Sequence, residues 1–419
     1  MKLGPIVLMK SSSFGRLLDT QTMLTEENSK LSAELGAGTT VHSFMHYPWT
    51  ATVAPQCILE PDAGSPAVDE AVERVLAAYK RAMSDYVAPD RSMWDVIEKR
   101  NRAFVAALET GDAAAARDML GRMFQSELIW GLGKYDQNLL DDMRRVPDRS
   151  HVQLRITDAL VSLAQAAGTC PLTSVEQQGV KAQLEALKVD LQKIAADLQS
   201  RAGLDVSSPR VGAAYGCSLS GVFVTIDSIL HSYTLYRLRQ LGAEAGSTIC
   251  EIGGGFGCLA ELACRSGLSN YAIYDLPWVN AIQGYYLIMT LPAGAVRLYG
   301  EDRGTVAVNP FWLFDRLGDR SVNFVVNTDS LPEMGRQTAE NYIRQIARVV
   351  SGVFLSINQE ARASNAGFGQ QNSVLEIARE LGGLRTLSRS LYWMRQGYVE
   401  EVFAPAPFGR QSCCQEMPD

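Results

Sequence analysis

The run Ser247–Ile252, followed at once by Gly253-Gly-Gly-Phe-Gly257, constrains the fold of this chain more than any other segment. It reads as a short buried strand whose glycines let the backbone turn tightly into a helix and approach a ligand at the sheet's carboxyl edge. Glu251 stands two positions before Gly253. A second strand, Asn270–Asp275, ends on a carboxylate eighteen positions after Gly257, room for one helix and one strand. In nucleotide-binding α/β folds a carboxylate at that place accepts hydrogen bonds from ribose hydroxyls. The segment therefore predicts a parallel α/β sheet with a nucleoside-bearing ligand over its carboxyl edge.

The alternation continues to the end of the chain. Ala295–Gly300 reads as a third strand, Asn309-Pro310 opens a short helix, and Val322–Thr328 is a strongly apolar fourth strand. A helix from Thr338 to Val350 leads into the strand Gly352–Asn358, and Ser373–Leu381 is helical. Thr386–Trp393 and Tyr398–Ala404 are joined by a tight turn at Gln396-Gly397, which makes them antiparallel. The expected fold class is α/β: a seven-stranded Rossmann-like sheet of parallel crossovers closed by one hairpin.

Before residue 245 the pattern is mainly helical. A single core stops growing near ~250–300 residues, and the chain has 419. Three parts are expected: a helical domain at 1–245 that builds an acceptor pocket, a ligand-binding domain at 246–405, and a flexible tail at 406–419. Helical spacing marks Glu70–Tyr86, Ser92–Leu108 and a segment capped by Asp112. Trp130-Gly-Leu-Gly-Lys-Tyr135 reads either as a packed interhelix loop or as a lid over a pocket. Residues 174–201 carry a heptad-like seam of Val180, Leu184, Leu187, Leu191, Ile194 and Leu198, begun by a capping box at Ser174/Gln177 or Thr173/Glu176. That seam is either internal packing or a homodimer contact. Leu219–Leu241 reads as a further helix, holding His231.

Charge and cysteine usage narrow the class of partner. Thirty-nine basic residues against 46 acidic ones leave a net charge of -7, which argues against nucleic acid or an anionic membrane. No apolar run spans a bilayer; Ala213–Leu230 is interrupted by serines, Thr225 and Asp227. Lys10 and a serine cluster follow the short apolar start, so a cytoplasmic protein is expected. Eight cysteines without a CxxC pair, and four histidines, offer no zinc pattern. A small-molecule enzyme is the favoured class.

Gly255-Phe-Gly257-Cys-Leu-Ala260 satisfies a dinucleotide-binding pattern, so a nicotinamide dehydrogenase is one rival, and a non-catalytic binding protein another. A carboxylate at Glu251 opposes a pyrophosphate but suits a cation, and the closing hairpin replaces a second mononucleotide half. S-adenosylmethionine (SAM), a sulfonium without phosphate, fits both facts. Glu251 with its glycines, Asp275 and the terminal hairpin resemble the class I SAM-dependent methyltransferases, over roughly the last 170 residues, a length typical of one domain. Tyr274-Asp-Leu-Pro277, Asn327-Thr-Asp-Ser-Leu-Pro-Glu-Met334 and Leu355-Ser-Ile-Asn-Gln-Glu360 are similar to a bacterial family of sugar O-methyltransferases. The resemblance implies that Glu251, Gly253, Gly255 and Gly257 face the methionine part of SAM and Asp275 holds the ribose. It places Glu301 or Asp302 near the adenine, with Asn327 and Thr328 lining the methyl-transfer channel.

A sugar hydroxyl needs a general base at the moment of methyl transfer. Asp329, Glu333, Glu360 and His231 are the candidates. Each has a plain alternative: a turn cap for Asp329, an exposed turn residue for Glu333, an ion pair with Arg362 for Glu360, and helix packing for His231. Asp329, Glu360 and Asn358 converging would suit Mg²⁺, though no metal is assigned. Asp329 with Glu333 would instead suit a guanidino or amino acceptor and N-methylation.

Overall fold

A computed structural model describes residues 49–60, 69–90, 92–172, 187–360 and 371–406. The expected capping box at 173–177, Arg362 and most of the tail lie outside them. Strands β1 (Thr50–Ala51) and β2 (Gln56–Ile58) precede helices α1 (Asp69–Ser84), α2 (Trp94–Arg100), α3 (Arg102–Thr110) and α4 (Ala113–Gly121). Helices α5 (Gln137–Arg145) and α6 (Ser150–Ala166) follow, then β3 (Lys188–Val189) and α7 (Leu191–Ala202). The hairpin β4 (Gly216–Leu219) and β5 (Val222–Val224) leads into α8 (Ile226–Gln240). Beyond it, β6 (Ile249–Ile252), α9 (Cys258–Arg265), β7 (Tyr271–Asp275) and α10 (Pro277–Thr290) begin the α/β part. It continues through β8 (Val296–Leu298), β9 (Val306–Pro310), β10 (Val322–Thr328), α11 (Arg336–Val349) and β11 (Val350–Gln359). Helix α12 (Val374–Leu381) and the strands β12 (Leu384–Leu391) and β13 (Tyr398–Pro405) complete it.

The main sheet runs in the order β12-β13-β11-β10-β6-β7-β9-β8. Its pairs are parallel from β11 to β8, while β13 runs antiparallel to both β11 and β12. The crossovers and the closing hairpin are as expected. The number of strands is not: the described residues give eight, not seven. Val306–Pro310, not expected as a strand, is a fully buried one beside β7; the short helix expected to open at Asn309-Pro310 follows it directly as a 3-10 turn at Phe311–Arg316, and the run taken as the third strand is a three-residue edge outside it. Val-Ala-Val is too short to announce itself as a strand, and Pro310, which lacks an N–H, ends it without loss.

Side chains alternate across the sheet as strand pleating requires. Ile249, Val326 and Leu355 face one apolar cluster with α9 and α10; Cys250, Val325 and Phe354 face another with α11 and α12. The first cluster also takes in Val75, Leu160 and Leu204. Helices from before residue 245 thus share a core with the sheet.

Three helix expectations change: Ser92–Leu108, read as one helix, breaks at Asn101 into α2 and α3. The seam at 174–201 is not one helix, because Lys188–Val189 pairs with Thr50–Ala51 and α7 starts only at Leu191, capped by the Asp190 side chain. Without that continuity the dimer argument loses its support. Helix α8 starts at Ile226 instead of Leu219, because Ser220 and Gly221, both at positive φ, close the β4–β5 hairpin first. A reciprocal cap then starts the helix, with Thr225 Oγ1 accepting from the Ser228 N–H at 3.1 Å and Ser228 Oγ from the Thr225 N–H at 3.2 Å. No helix among the described residues is long and apolar enough to cross a membrane.

Candidate functional site

In a parallel sheet, ligands bind outside the carboxyl ends of the strands where the strand order reverses. Here β7 lies on one side of β6 and β10 on the other. Over that point opens a cavity of about 920 Å³, its open mouth included. Its floor is Gly253–Gly255, Asp275 and Thr328–Ser330; its roof comes from Pro89, Asp90, Ser92, Trp94, Gly131–Lys134 and α8. Residues 131–134 of the Trp130–Tyr135 segment therefore form part of a cavity wall.

The glycine bend is locked on both sides. Gly253 (φ +70°) and Gly255 (φ +54°) are left-handed. A Cβ on Gly255 would lie 2.5 Å from the Leu132 carbonyl oxygen, so roof and floor touch there backbone to backbone. Asp275 ties the bend to β7: its Oδ2 accepts from the Gly254 N–H at 3.1 Å and Gln283 Nε2 at 2.7 Å, and its Oδ1 from the Leu276 N–H at 2.8 Å. Gln283 Nε2 also donates to the Gly255 carbonyl at 3.0 Å. Burial pushes the Asp275 carboxyl up to about 6 against those three donors, so it is mainly ionised at neutral pH and faces the cavity.

Asp329 is built as a charge anchor. It sits at φ +69°, a strained value for a residue with a Cβ. Lys134 Nζ donates to its Oδ2 at 2.8 Å, and Arg395 donates to Oδ1 and Oδ2 at 3.0 and 2.7 Å. Burial alone would raise its pKa, but Arg395 and Lys134 outweigh burial and hold the carboxyl well below its ordinary range. A carboxylate so stabilised is a poor base. Asp329→Asn leaves two cations without their carboxylate, and we expect a loss of about 3 kcal/mol in denaturant unfolding.

Glu333 and His231 are the groups left free. The Glu333 carboxyl lines the cavity, and burial, helped by the charge of Asp329, pushes it up to about 8. His231 lies one helical turn after Asp227 on α8, facing the same cavity. Its Nδ1 is buried without a hydrogen-bond partner. Burial, with the cations Lys134 and Arg395, lowers its pKa against the opposing pull of Asp227 and Asp329. Asp227 accepts from the backbone N–H groups of Lys134 and Tyr135 at 2.8 and 3.3 Å and so fixes the roof to α8.

Of the residues expected in the site, Gly253, Gly255, Asp275, Thr328, Asp329, Glu333 and His231 line the cavity. The others do not. Glu251 lies fully buried beneath the bend, accepts from Tyr271 Oη at 3.0 Å, and is pushed by burial up to about 8, so it presents no carboxylate to a ligand. Gly257 caps α9. Glu301 follows the edge strand, where Arg74 holds both its oxygens at 2.8 Å, and Asp302 is exposed beside it; Phe311, after β9, lines the cavity in their stead. Asn327 is fully buried, its amide bonded to the Ile252 carbonyl at 2.8 Å and its Oδ1 taken by Asn358 at 2.9 Å. Glu360 pairs with Arg389 and accepts from Ser373 at 3.1 Å. With Asp329 and Glu360 held by different cations, the convergence of Asp329, Glu360 and Asn358 that would suit Mg²⁺ does not form, and the described residues contain no group of three or more His, Cys, Asp or Glu that could hold a metal.

Sequence reasoning missed Asp90, Lys134, Asp227, Gln283 and Arg395. Asp227 carried a signal, four residues before His231 on one helix face. Lys134 lay in the Trp130–Tyr135 segment already read as a possible lid, and Gln283 lies eight residues past Asp275 on the following helix; Asp90 and Arg395 come from distant segments and carried no signal.

No family model and no curated protein matches this chain. Among solved structures it is similar to a Galdieria sulphuraria protein provisionally described as a sarcosine dimethylglycine methyltransferase, at 13% identity, TM-score 0.35, over 45% of this chain and 88% of that one. It is also similar to the 4+2 cyclase SpnF, at 14% identity and TM-score 0.35, over 44% and 84% of the two chains. A third likeness is to a geranyl diphosphate C-methyltransferase from Streptomyces coelicolor A3(2), at 14% and 0.34, over 43% and 79%. None of the three is described as a sugar O-methyltransferase. Likeness at these scores carries no argument about reaction, so the chemistry must be read from the side chains.

Proposed function

We propose that this chain is a SAM-dependent methyltransferase acting on a hydroxyl of a polar small molecule, a sugar or sugar-like compound. One observation carries the reading: the glycine bend and Asp275 open into a cavity that Asp90 and Asp227 also line, while Asp329 is matched by Lys134 and Arg395 and Glu333 is mainly protonated near pH 7. Such a lining attracts a sulfonium with an ammonium group and repels a diphosphate, which disfavours a nicotinamide cofactor. Asp275 would accept from the ribose hydroxyls, and Leu276 and Phe311 would flank the adenine.

Bound SAM supplies a methyl group whose bond to sulfur breaks as the bond to the acceptor oxygen forms, leaving a neutral thioether. The chain's residues position the acceptor, exclude water and take its proton. Glu333 is the base, because it is free, faces the cavity and has a pKa near the working pH. Neutral His231 orients the acceptor hydroxyl. The guanidino alternative is weakened, because both Asp329 oxygens already serve Arg395.

Calorimetry with SAM and with NAD tests the reading. Heat with SAM and none with NAD is expected; the reverse overturns it. Methyl transfer to nucleotide-sugars beside arginine-like amines then separates O- from N-methylation, and activity should survive EDTA.

A further inference from the structure

The small sheet ahead of α8 carries two cysteines that the cavity does not use. Its strand order is β2-β4-β5, and Cys57 on β2 stands directly opposite Cys217 on β4 in an antiparallel register. Opposed residues of such a pair share one face of the sheet, with Cα atoms about 4.5–5.5 Å apart. A disulfide spans Cα separations of about 4.4–6.8 Å, so this backbone already suits one. Both cysteines are free thiols, and their sulfurs lie 3.7 Å apart in an S–H to sulfur contact.

The two thiols differ in the way that disulfide exchange requires. Cys57 is partly exposed on the edge strand, whereas Cys217 is fully buried in the central one. The first sulfur to react must be reachable from solvent, and the second must lie within reach of the first. A hydrogen bond from Cys217, helped by the charge of Arg149, lowers the Cys57 pKa against burial and favours its thiolate. Strand β2 is also weakly held, by three residues paired with β4 and by Gln153 Nε2 donating to the Pro55 carbonyl at 2.8 Å. Next to β4, Tyr215 Oη donates to the Asp136 carbonyl and its ring packs 5.1 Å from that of Tyr135. The small sheet therefore backs the Gly131–Lys134 wall of the cavity.

We propose that Cys57 and Cys217 form a reversible redox-modification site, oxidised to a cross-strand disulfide by a low-molecular-weight disulfide of the glutathione type. The Cys57 thiolate attacks one reagent sulfur, forming a mixed disulfide and expelling one reagent thiolate. Cys217 then loses its proton and attacks the Cys57 sulfur, and the second reagent thiolate leaves. Two protein thiols are oxidised, one reagent disulfide is reduced, and the two protons lost by the protein pass to the two reagent thiolates. The new bond joins positions 160 residues apart, and a cross-link over so long a loop restricts the unfolded chain strongly. The site is independent of the methyltransferase reading.

The test is to treat the full chain with oxidised glutathione, alkylate the remaining thiols and map the peptides by mass spectrometry. A peptide joining Cys57 to Cys217 is expected, with a melting temperature raised by about 5 °C or more, and dithiothreitol should reverse both. Cys57→Ser should form no such link and should melt at one temperature with or without the reagent. Recovery of Cys57 as a lasting glutathione adduct, as an unmodified thiol or joined to another cysteine overturns the proposal. A linked protein that melts no higher than the reduced one, or a rise that persists in Cys57→Ser, overturns it equally. The mapping is made on the wild type, so it decides the matter even where the variant folds poorly.

Discussion

Glu333→Gln should lower kcat by about 10²–10⁴-fold while SAM affinity changes less than about twofold. Glutamine mimics the protonated carboxyl, which is the main form at pH 7 for a group pushed up to about 8, so the ground state loses little. The pH profile gives the sharper reading. The base must be unprotonated, so kcat/KM should climb about tenfold per pH unit below 8 and level off above it, and the variant should lose that limb. Stability carries the same signature with opposite sign. A carboxyl whose pKa is raised on folding favours the native state below the ordinary glutamate range, and that contribution is lost as pH rises through 8. Urea unfolding of the wild type should weaken across this window, and the variant should weaken less. A wild-type kcat and an unaltered alkaline limb in Glu333→Gln would remove Glu333 from the chemistry and pass the role to His231.

Gly255→Ala should abolish SAM binding at least 100-fold and cost about 3 kcal/mol of stability. The left-handed φ penalises any Cβ by roughly 1–2 kcal/mol. The larger effect comes from the Leu132 carbonyl 2.5 Å away, since a backbone oxygen cannot rotate aside as a side chain would. Relief requires the Gly131–Lys134 wall to lift, which strains the contacts of Lys134 with Asp227 and Asp329. Gly111→Ala is the control: its φ of +72° is similar, but nothing lies within 4 Å of the added carbon. Calorimetry and denaturant titration of the two variants separate strain from collision. Equal behaviour of the pair would mean that the roof does not bear on the bend.

The part of this architecture visible in the sequence is the part written locally. The strand–glycine–helix segment, the carboxylate at Asp275 and the terminal hairpin depend on neighbours a few residues apart, and the structure reproduces each of them. Glu251 and Asn327 were misjudged for a common reason. Both occur in strands near the cavity, but pleating turns their side chains into the packed interior, and sequence spacing does not say which way a strand faces when both faces are covered. Glu301 failed through a misplaced strand, since the residue after the edge strand is not the residue after the strand beside β7. The cationic clamp on Asp329 joins positions 134, 329 and 395. No pattern of short period connects them.

The carboxyl-rich lining also bears on turnover. Charge attraction that draws in a sulfonium vanishes once the sulfur has lost its methyl group and become neutral. If the proposed methyltransferase reading holds, the same walls would hold the spent donor less firmly than the fresh one, and weak inhibition by the demethylated donor is the expected outcome.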